Sequence, residues 1–595
     1  MNFFKTLIAA TLGTIIALLL IFFIMLITVS ASSQEPEPYI SSNSVLKFSL
    51  SGNLPSQTPS NPLNELIGQK SNDKVSLQTL KENLAKAQTH ENVTGVWLEV
   101  DMMTESWANL QEAHRMISAF RDSTDKFVYA STNDIGFNEK GYYLATAADS
   151  IFAPPESFFE FDGFYSQVTF YDGAFEKLGV EAEVIRQGKY KGAVEPFYRK
   201  ELSEENAYQL NQILSGVNTT FTNTVSAHTG RSVDDLNDLM NSQPNLTTHF
   251  GYENGLIDSL MYADEVESHI KKQIGLAGDE ALETVSSGRY AKVSASSAGL
   301  SRSSGSGKIA VIYANGPIMP DMGSSQFSNQ PTISASFIEE QLNEIREDDN
   351  VKALVLRINS PGGSGSTSDV IWRMLQQTKT DIPVIASMGG VAASGGYYIA
   401  MAADSIVAQP TTITGSIGVF ATKFNARQLL NDKLGLTFDA VKTHEHADWL
   451  VTNRELSSSE EKAFQQYISQ FYQTFIGKVA DSRNMSVNNV DEHAQGRVWT
   501  GADAQEVGLV DELGSLDHAL GIAADKAGIT DYSVVSYPKP KTFYELLMGS
   551  AATQAKAWMN ELFFGGTVSQ ELQQQVSILK KRDALTLFPY QINVQ

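Results

Sequence analysis

Two glycine-rich segments in the second half of the chain carry groups suited to acyl transfer. The first, residues 359–366, reads Asn-Ser-Pro-Gly-Gly-Ser-Gly-Ser and follows the apolar run Ala353–Ile358. Its consecutive glycines leave backbone N–H groups able to point at an anion, which predicts an oxyanion hole. The second places Ser394 before two glycines and an apolar helix, whose dipole can stabilise negative charge on a nucleophile. Taken singly, the segments are also typical of a strand-to-helix turn and a helix N-cap.

A serine nucleophile needs a base, and the composition limits the choice. The chain has nine histidines and no cysteine, so disulfides, thiolate nucleophiles, iron–sulfur clusters and Cys-ligated zinc are excluded. No histidine and aspartate stand at a spacing that indicates a catalytic triad, and Ser394 lacks the Gly-x-Ser-x-Gly context of α/β-hydrolases. A lysine remains as a candidate, because burial in an apolar pocket lowers the pKa of a lysine until it can act as a base.

The chain repeats itself at an offset of about 255 residues. Residues 140–151 read Lys-Gly-Tyr-Tyr-Leu-Ala-Thr-Ala-Ala-Asp-Ser-Ile, and residues 395–406 read Gly-Gly-Tyr-Tyr-Ile-Ala-Met-Ala-Ala-Asp-Ser-Ile. Shorter matches, whose offset drifts by a few residues, continue on both sides of this segment. The sequence therefore indicates a tandem duplication.

Each half lacks a different part of the predicted site. Ser394 falls on Glu139 of the first half, which also has no Pro-Gly-Gly segment. Conversely, Lys191 of the first half falls on Ala447 of the second. The halves are complementary, which predicts one composite site with Ser394 from one half and a lysine from the other.

Short apolar runs alternate with helical periods in each half, which predicts an α/β fold with a largely parallel sheet. A stretch rich in Ser, Gly and Ala has little to bury and predicts a linker between the halves. An amphipathic stretch near the carboxyl end is predicted to pack on a neighbour or lie on a membrane. The predicted segments are an anchor at 1–34, a first domain at 45–285, a linker at 286–307, a second domain at 308–540 and an extension at 541–595.

The 23 uncharged residues Leu7–Val29 predict a transmembrane helix, since about 35 Å of helix crosses a hydrocarbon core of about 30 Å. A cleaved signal peptide is the alternative, but its apolar region is normally shorter. Lys5 precedes the segment, whereas Glu35 and Glu37 follow it, which predicts a cytoplasmic amino terminus and an extracytoplasmic body. The formal net charge of −24 and the lack of a basic stripe argue against nucleic acid as a partner.

Three motifs resemble peptidase family S49, in particular the signal peptide peptidase A (protease IV) group in its long double-domain bacterial form. Residues 190–197 read Tyr-Lys-Gly-Ala-Val-Glu-Pro-Phe, and by this resemblance Lys191, rather than Lys189, is the base. Residues 393–397 read Ala-Ser-Gly-Gly-Tyr and match the nucleophile segment with Ser394. Residues 414–418 read Thr-Gly-Ser-Ile-Gly, in which Ser416 matches a serine that holds the lysine.

The resemblance implies a tandem pair of domains of the Clp protease and crotonase fold, preceded by one transmembrane helix. It also implies a homotetramer that is anchored in the bacterial cytoplasmic membrane by a single transmembrane pass. By the same resemblance, the enzyme degrades cleaved signal peptides and other hydrophobic peptides, and it needs no ATP, metal or cofactor. From their positions, Gly363 and Gly395 are expected to bind the oxyanion. The dyad could form within one chain or between neighbours. Gly192 departs from the family, which often has serine there, and Lys189 is expected to lower the pKa of Lys191 further if both are close.

Two other functions remain as alternatives. A crotonase-type acyl-CoA enzyme would share the α/β core and the anion hole, but would leave the complementary serine and lysine unexplained. A non-catalytic membrane scaffold would explain why neither half has a complete site, but not why the halves are complementary. A nucleotide site is not predicted, because Ile309 follows Gly307-Lys308 where a P-loop requires Ser or Thr.

Overall fold

The computed structural model describes residues 13–14, 17, 37–57, 75–133, 135–242, 247–300, 305, 307–321, 331–539 and 585–587. The predicted anchor Leu7–Val29 and the extension 541–595 lie almost entirely outside these residues. Within the described ranges, no helix has both the length and the apolar character needed to cross a membrane.

From residue 44 to residue 291, the structure describes nine strands and ten helices. The strands are β1 (Ser44–Gly52), β2 (Val93–Met103), β3 (Phe127–Ser131), β4 (Gly136–Phe137), β5 (Ser150–Ala153), β6 (Phe158–Phe159), β7 (Glu181–Gln187), β8 (Ser259–Leu260) and β9 (Thr284–Ser286). The helices are α1 (Leu77–Thr89), α2 (Trp107–Ser123), α3 (Glu139–Ala145), α4 (Asp172–Leu178), α5 (Glu195–Tyr198), α6 (Glu204–Thr229), α7 (Val233–Ser242), α8 (Thr248–Glu253), α9 (Ala263–Gln273) and α10 (Ser287–Ala291), with a 3₁₀ turn at Gly192–Val194.

The second half has the same alternation of strands and helices. Its described strands are β10 (Gly307–Asn315), β11 (Val351–Ser360), β12 (Gly362–Ser364), β13 (Val384–Ala393), β14 (Ser405–Ala408), β15 (Ile413–Gly415), β16 (Val419–Asn425), β17 (Val498–Thr500), β18 (Glu512–Leu513), β19 (Tyr532–Tyr537) and β20 (Leu585–Leu587). Its described helices are α11 (Ala335–Arg346), α12 (Gly365–Thr378), α13 (Gly395–Ala400), α14 (Ser458–Arg483), α15 (Val487–His493), α16 (Gly501–Glu506) and α17 (Leu516–Ala527), with a π-helix at Gln428–Lys433.

The two halves contain parallel sheets with the same strand order. In the first, the order is β8-β5-β3-β2-β1-β9, and every neighbouring pair is parallel. In the second, β18-β14-β13-β11-β10-β19 repeats that order, again with parallel pairs, and β15 and β17 extend the sheet. Helices alternate with the strands of both sheets, so the α/β fold predicted from the sequence is confirmed.

A tyrosine at equivalent places in the repeat makes the same hydrogen bond in each half. Tyr142 Oη donates to the Leu256 carbonyl at 2.7 Å, and Tyr397 Oη donates to the Leu509 carbonyl at 2.9 Å. These hydrogen bonds connect the short helices α3 and α13 to turns more than 100 residues further along the chain. The duplication therefore extends from the sequence to individual contacts.

Alternating residues of β10 and β11 face two different layers of the core. Ile309 and Val311 pack with α17 on one face of the sheet, whereas Ala310 and Ile312 belong to the cluster on the opposite face. Successive side chains of a strand point to opposite faces, so a parallel strand covered on both sides is apolar along its whole length. This burial explains the largely apolar runs in the sequence, although β11 also contains the buried Arg357.

The predicted linker 286–307 differs from expectation in its first part. Ser286 ends β9, which pairs with β1, and the helix α10 follows directly. Tyr290 in this helix is fully buried, and its carbonyl accepts a hydrogen bond of 3.0 Å from Lys86 Nζ. The segment therefore packs on the first sheet, because its few large side chains supply apolar surface that the small residues around them lack.

Strand β7 of the first half joins the second half rather than its own sheet. It pairs antiparallel with β16, from Gln187 opposite Val419 to Glu181 opposite Asn425. The predicted base segment directly follows β7. The pairing therefore carries Lys191 into the second half of the molecule.

Candidate active site

Ser394 lies between the end of β13 and the start of α13, with no measurable exposure. Its backbone φ of 56° lies in the left-handed region, which is uncommon for a residue with a side chain and is found at functional sites. Its N–H donates to the Gly415 carbonyl at 2.8 Å. Although it occupies the N-cap position, its side chain makes no capping hydrogen bond, so Oγ is directed elsewhere.

The Lys191 amine is the group that contacts the Ser394 hydroxyl. Lys191 Nζ lies 2.8 Å from Ser394 Oγ, and 3.0 Å from both the hydroxyl and the carbonyl oxygen of Ser416. The lysine comes from the first half and both serines from the second. The structure thus brings together three of the residues singled out in the sequence, and does so within one chain.

Burial gives the Lys191 amine the properties of a base. The residue is only 1% exposed, and burial lowers its pKa to about 7. A neutral amine has two N–H donors and one lone pair. With two acceptors on Ser416, the lone pair is left to accept the proton of the Ser394 hydroxyl.

Ser416 is held by its backbone in the position that receives the amine. It follows β15 with a positive φ of 51°, and its N–H donates to the Arg497 carbonyl at 2.6 Å. β15 pairs with both β13 and β17, so the residue is fixed to the strand that carries the nucleophile. This arrangement lets one residue orient the lysine through two oxygen atoms.

The two glycines predicted to bind an oxyanion lie at the carboxyl ends of neighbouring strands. Gly363 is in β12, just after β11, and Gly395 opens α13, just after β13. β11 and β13 are parallel neighbours, with Ser360 opposite Ala392, so both segments meet at one edge of the sheet. A Cβ on Gly363 would lie 1.8 Å from the Ile318 carbonyl oxygen, which explains the need for glycine there.

The extended strand β20 lies between β12 and β16. The short strand β20 pairs antiparallel with β12, with Thr586 opposite Gly363, and also with Phe420 of β16. The four-stranded sheet has the order β12-β20-β16-β7. Backbone groups next to the glycine-rich segment can therefore pair with an extended peptide.

Gly192 and Lys189, the two residues of the base segment that the sequence analysis set apart from the family pattern, have different surroundings in the structure. A Cβ on Gly192 would lie 2.5 Å from Asn206 Nδ2, so a larger residue at this position would displace the Asn206 side chain. Lys189 is exposed and stacks its amine 5.0 Å from the Tyr190 ring. Burial is the cause of the lowered pKa of Lys191.

Sequence reasoning missed the contact that supports the lysine from behind. Gly496 has a φ of 77°, and a Cβ there would lie 2.6 Å from Lys191 Cβ. The Tyr190 N–H donates to the Gln495 carbonyl at 2.9 Å in the same turn. The only local signal is the glycine in a Gln-Gly-Arg turn, which does not indicate its partner. Among the described residues, no group of three or more histidine or acidic side chains is arranged to hold a metal ion.

Comparison with known proteins identifies the family of this chain. The model of Peptidase family S49 matches residues 121–277 and 376–530, and a Clp protease model matches residues 327–412. The chain is 36% identical to "Serine protease SPPA, chloroplastic" of Arabidopsis thaliana, over 85% of this chain and 73% of that protein. It is 33% identical to "Protease 4" of Salmonella typhi, over 82% of this chain and 78% of that protein.

A shorter relative covers one half. The "Putative signal peptide peptidase SppA" of Enterococcus faecium is 36% identical over 40% of this chain and 68% of its own length. The two matches to one family model fall on the two repeated halves, and the similarity to the long relatives spans both. The chain therefore belongs to peptidase family S49, as a serine peptidase built from two S49 domains.

Proposed function

We propose that this chain is a serine endopeptidase in which Ser394 is the nucleophile and Lys191 is the general base. The observation that carries the proposal is the 2.8 Å contact between Lys191 Nζ and Ser394 Oγ, made by a buried amine whose pKa is about 7. A base with a pKa near the working pH is present in its neutral form and still accepts a proton effectively. No ATP is needed for this chemistry.

The proposed reaction begins when the Lys191 amine takes the proton of the Ser394 hydroxyl. Oγ attacks the carbonyl carbon of the peptide, and the oxyanion is stabilised by the N–H groups of Gly363 and Gly395, each contributing about 3 kcal/mol. The protonated amine then gives its proton to the leaving nitrogen, and an acyl-enzyme forms. In the second step, Lys191 takes a proton from water, which attacks the ester carbonyl. The protonated amine then returns that proton to Ser394 Oγ as the ester C–O bond breaks, which restores the neutral amine and the free hydroxyl. Ser416 keeps the amine oriented throughout.

We further propose that the substrates are hydrophobic peptides, including cleaved signal peptides. The position of β20 supports an extended substrate, which would pair with β12 and β16 on either side. The name of the Enterococcus faecium relative supports signal peptides as the class. The apolar segment Leu7–Val29 would anchor the chain, by a single pass, in the bacterial cytoplasmic membrane with the peptidase body outside. A homotetramer is the proposed assembly.

The dyad is tested with the full chain in detergent. We expect a fluorophosphonate probe to label the wild type, and a fluorogenic peptide with a small or leucine P1 residue to be cleaved. Ser394→Ala is expected to abolish both, and Lys191→Ala to lower cleavage by at least 10³-fold. Lys189→Ala, which changes an exposed lysine two residues away, is the matched control and should retain full activity. Unlabelled wild type would favour the scaffold, and protection by acyl-CoA would favour the crotonase alternative.

Mixing the two inactive variants distinguishes a dyad within one chain from one between neighbours. The structure forms the contact inside a single chain, so Ser394→Ala mixed with Lys191→Ala should remain inactive after subunits are dissociated and reassembled. Recovery of up to a quarter of the activity would instead indicate that Lys191 serves a neighbour.

A further inference from the structure

The side chain of Gln209, on helix α6, lies between the segment that carries the lysine and the half that carries the serine. It is 2% exposed. Its Nε2 donates to the Tyr190 carbonyl at 3.1 Å, and its Oε1 accepts from the Val498 N–H at 3.1 Å. Tyr190 immediately precedes the base, whereas Val498 belongs to the second half. One buried amide thus bridges the two halves beside the dyad.

Both ends of this bridge are connected to the reacting groups by short paths. Val498 lies opposite Gly415 in the pairing of β17 with β15. Gly415 in turn precedes Ser416, and its carbonyl accepts the N–H of Ser394 at 2.8 Å. On the other side, Tyr190 is bonded covalently to Lys191. Displacement of either end of the Gln209 amide therefore changes the position of the amine relative to the serine.

The orientation of the Gln209 amide is determined by a third contact. The second N–H of Nε2 has the Asn206 Oδ1 as its acceptor, at 2.7 Å, and Asn206 Nδ2 donates to Glu195 Oε2 at 3.2 Å. Glu195 is completely buried and also accepts from the Ser203 hydroxyl at 2.6 Å. A side chain that must donate twice and accept once at this place has to be an amide.

We propose that Gln209 is a positioning residue that holds the lysine segment in register with Ser394 and Ser416. The inference rests on the proposed dyad, because it assigns to Gln209 the task of keeping that dyad together. The base and nucleophile come from different halves, and a displacement of about 1 Å at a reacting group can lower the rate about 10²-fold. A residue that spans the boundary is therefore needed where no covalent connection exists.

The charged groups near Lys191 are not altered by a neutral substitution at Gln209, so the pH dependence of the rate reports on the environment of the lysine amine. Arg186 donates to the Lys191 carbonyl at 3.2 Å, Arg497 lies 5.7 Å from the Tyr190 ring, and Glu195 and Lys189 are in the same segment. A neutral substitution at Gln209 changes none of these charges. A loosened segment admits water to the amine, which raises the lysine pKa toward its ordinary value. The rising limb of the pH–rate profile should therefore move to higher pH.

The experiment compares Gln209→Met with Gln212→Met in the full chain. Gln212 is exposed on the same helix and provides a matched control. Methionine has nearly the volume of glutamine, so packing is preserved while all three hydrogen bonds are lost. We expect Gln209→Met to lower kcat about 10²-fold, leave KM within threefold, and move the rising limb by at least half a pH unit, with none of these changes in the control.

Gln209→Glu provides a second variant with an intact acceptor for Val498 and no donor for Tyr190. It should also lower kcat, even if Gln209→Met folds poorly; the pH profile is compared only for the neutral Gln209→Met, because an added carboxylate would itself raise the pKa of a nearby lysine. Unchanged kcat in folded variants would overturn the proposal. A lower kcat with an unmoved limb would overturn it too, because loss of folded enzyme scales the rate without changing its pH dependence. Lys191→Ala, assayed alongside, separates the two proposals, since activity in that variant overturns the dyad itself.

Discussion

Lys191 carries its amine into a site with almost no contact with water, and this placement has two opposite effects. Burial lowers the pKa to about 7, which lets the amine accept a proton near neutral pH. The same burial removes the favourable hydration of the charged form, which destabilises the folded protein. The proposed catalytic role of Lys191 thus conflicts with the stability of the folded protein at one side chain.

Lys191→Met should raise the free energy of unfolding at pH 7 by about 1–4 kcal/mol while abolishing activity. In the wild type, the folded lysine loses its proton at lower pH than the unfolded lysine does. The unfolded chain therefore binds more protons between about pH 7 and 10, and wild-type stability rises with pH in that window. The advantage of the variant should be largest at and below pH 7 and shrink toward pH 10, as measured by thermal unfolding. Lys189→Met should change little, and an advantage that grows with pH would contradict the assignment.

Ser416→Ala removes one of the two oxygens that orient the Lys191 amine and leaves the carbonyl oxygen in place. We expect kcat to fall by about 10- to 100-fold with little change in KM, since the amine keeps its burial but loses a fixed direction. Steady-state hydrolysis of a fluorogenic peptide measures both constants. The exposed Ser459 offers the control Ser459→Ala. A fall of 10³-fold or more would mean that Ser416 takes part in proton transfer.

At the scale of elements, the site is built from strands of the second sheet that end at the same edge and from a turn that packs against the lysine segment. β11 and β13 deliver the glycine-rich segments, β15 delivers Ser416, and the turn at Gln495-Gly496 packs on the lysine. The turn has no side chain at Gly496, which allows the backbone of the two segments to touch. Lys191 is therefore supported by a turn that supplies no reacting group to the proposed site.

Gly496→Ala should lower kcat about 10²-fold, because the added Cβ would lie 2.6 Å from Lys191 Cβ and displace the base. The residue also has a φ of 77°, so part of any effect comes from backbone strain. Gly435→Ala isolates that part, since Gly435 has a φ of 69° and open space where the Cβ would go. Rates and melting temperatures of both variants should be compared. Equal losses of activity would show that strain, rather than contact with the lysine, is responsible.

The strands and the dyad could be predicted from the sequence for different physical reasons. Apolar runs such as Ala353–Ile358 predict parallel strands, because such strands are covered on both faces. Ser394 could be paired with a lysine of the first half because each half of the repeat lacks what the other has, and the family resemblance selected Lys191 as that lysine. The contacts of Gln209 and Gly496 could not be predicted, since they join segments that are far apart in the chain and carry no local pattern. Tyr290 was missed because the small residues around it indicate a linker.

On the scale of the whole molecule, the halves must remain docked for the site to exist. Glu112 on α2 and Arg357 on β11 form an ion pair of 2.8 Å across the boundary, with side chains 2% and 1% exposed. Arg357 also donates to the Ser387 hydroxyl at 3.0 Å, on the strand that leads to the nucleophile. The pair therefore connects the first half to two of the strands that build the site.

Removal of one partner should open this boundary, whereas removal of both should largely restore it. Glu112→Leu leaves the guanidinium buried without its counter-charge, which is expected to cost about 3–5 kcal/mol, and Arg357→Met should cost a similar amount. The double variant should lie much closer to the wild type, because it buries no charge. Urea titrations followed by both fluorescence and peptidase activity measure the effect, and activity should be lost first in the single variants. Glu99→Leu, which breaks a pair with Lys47 that is 27% exposed and lies within one half, should cost less than about 1 kcal/mol. If the double variant were as unstable as the sum of the singles, the two side chains would act independently and the ion pair would not hold the halves together.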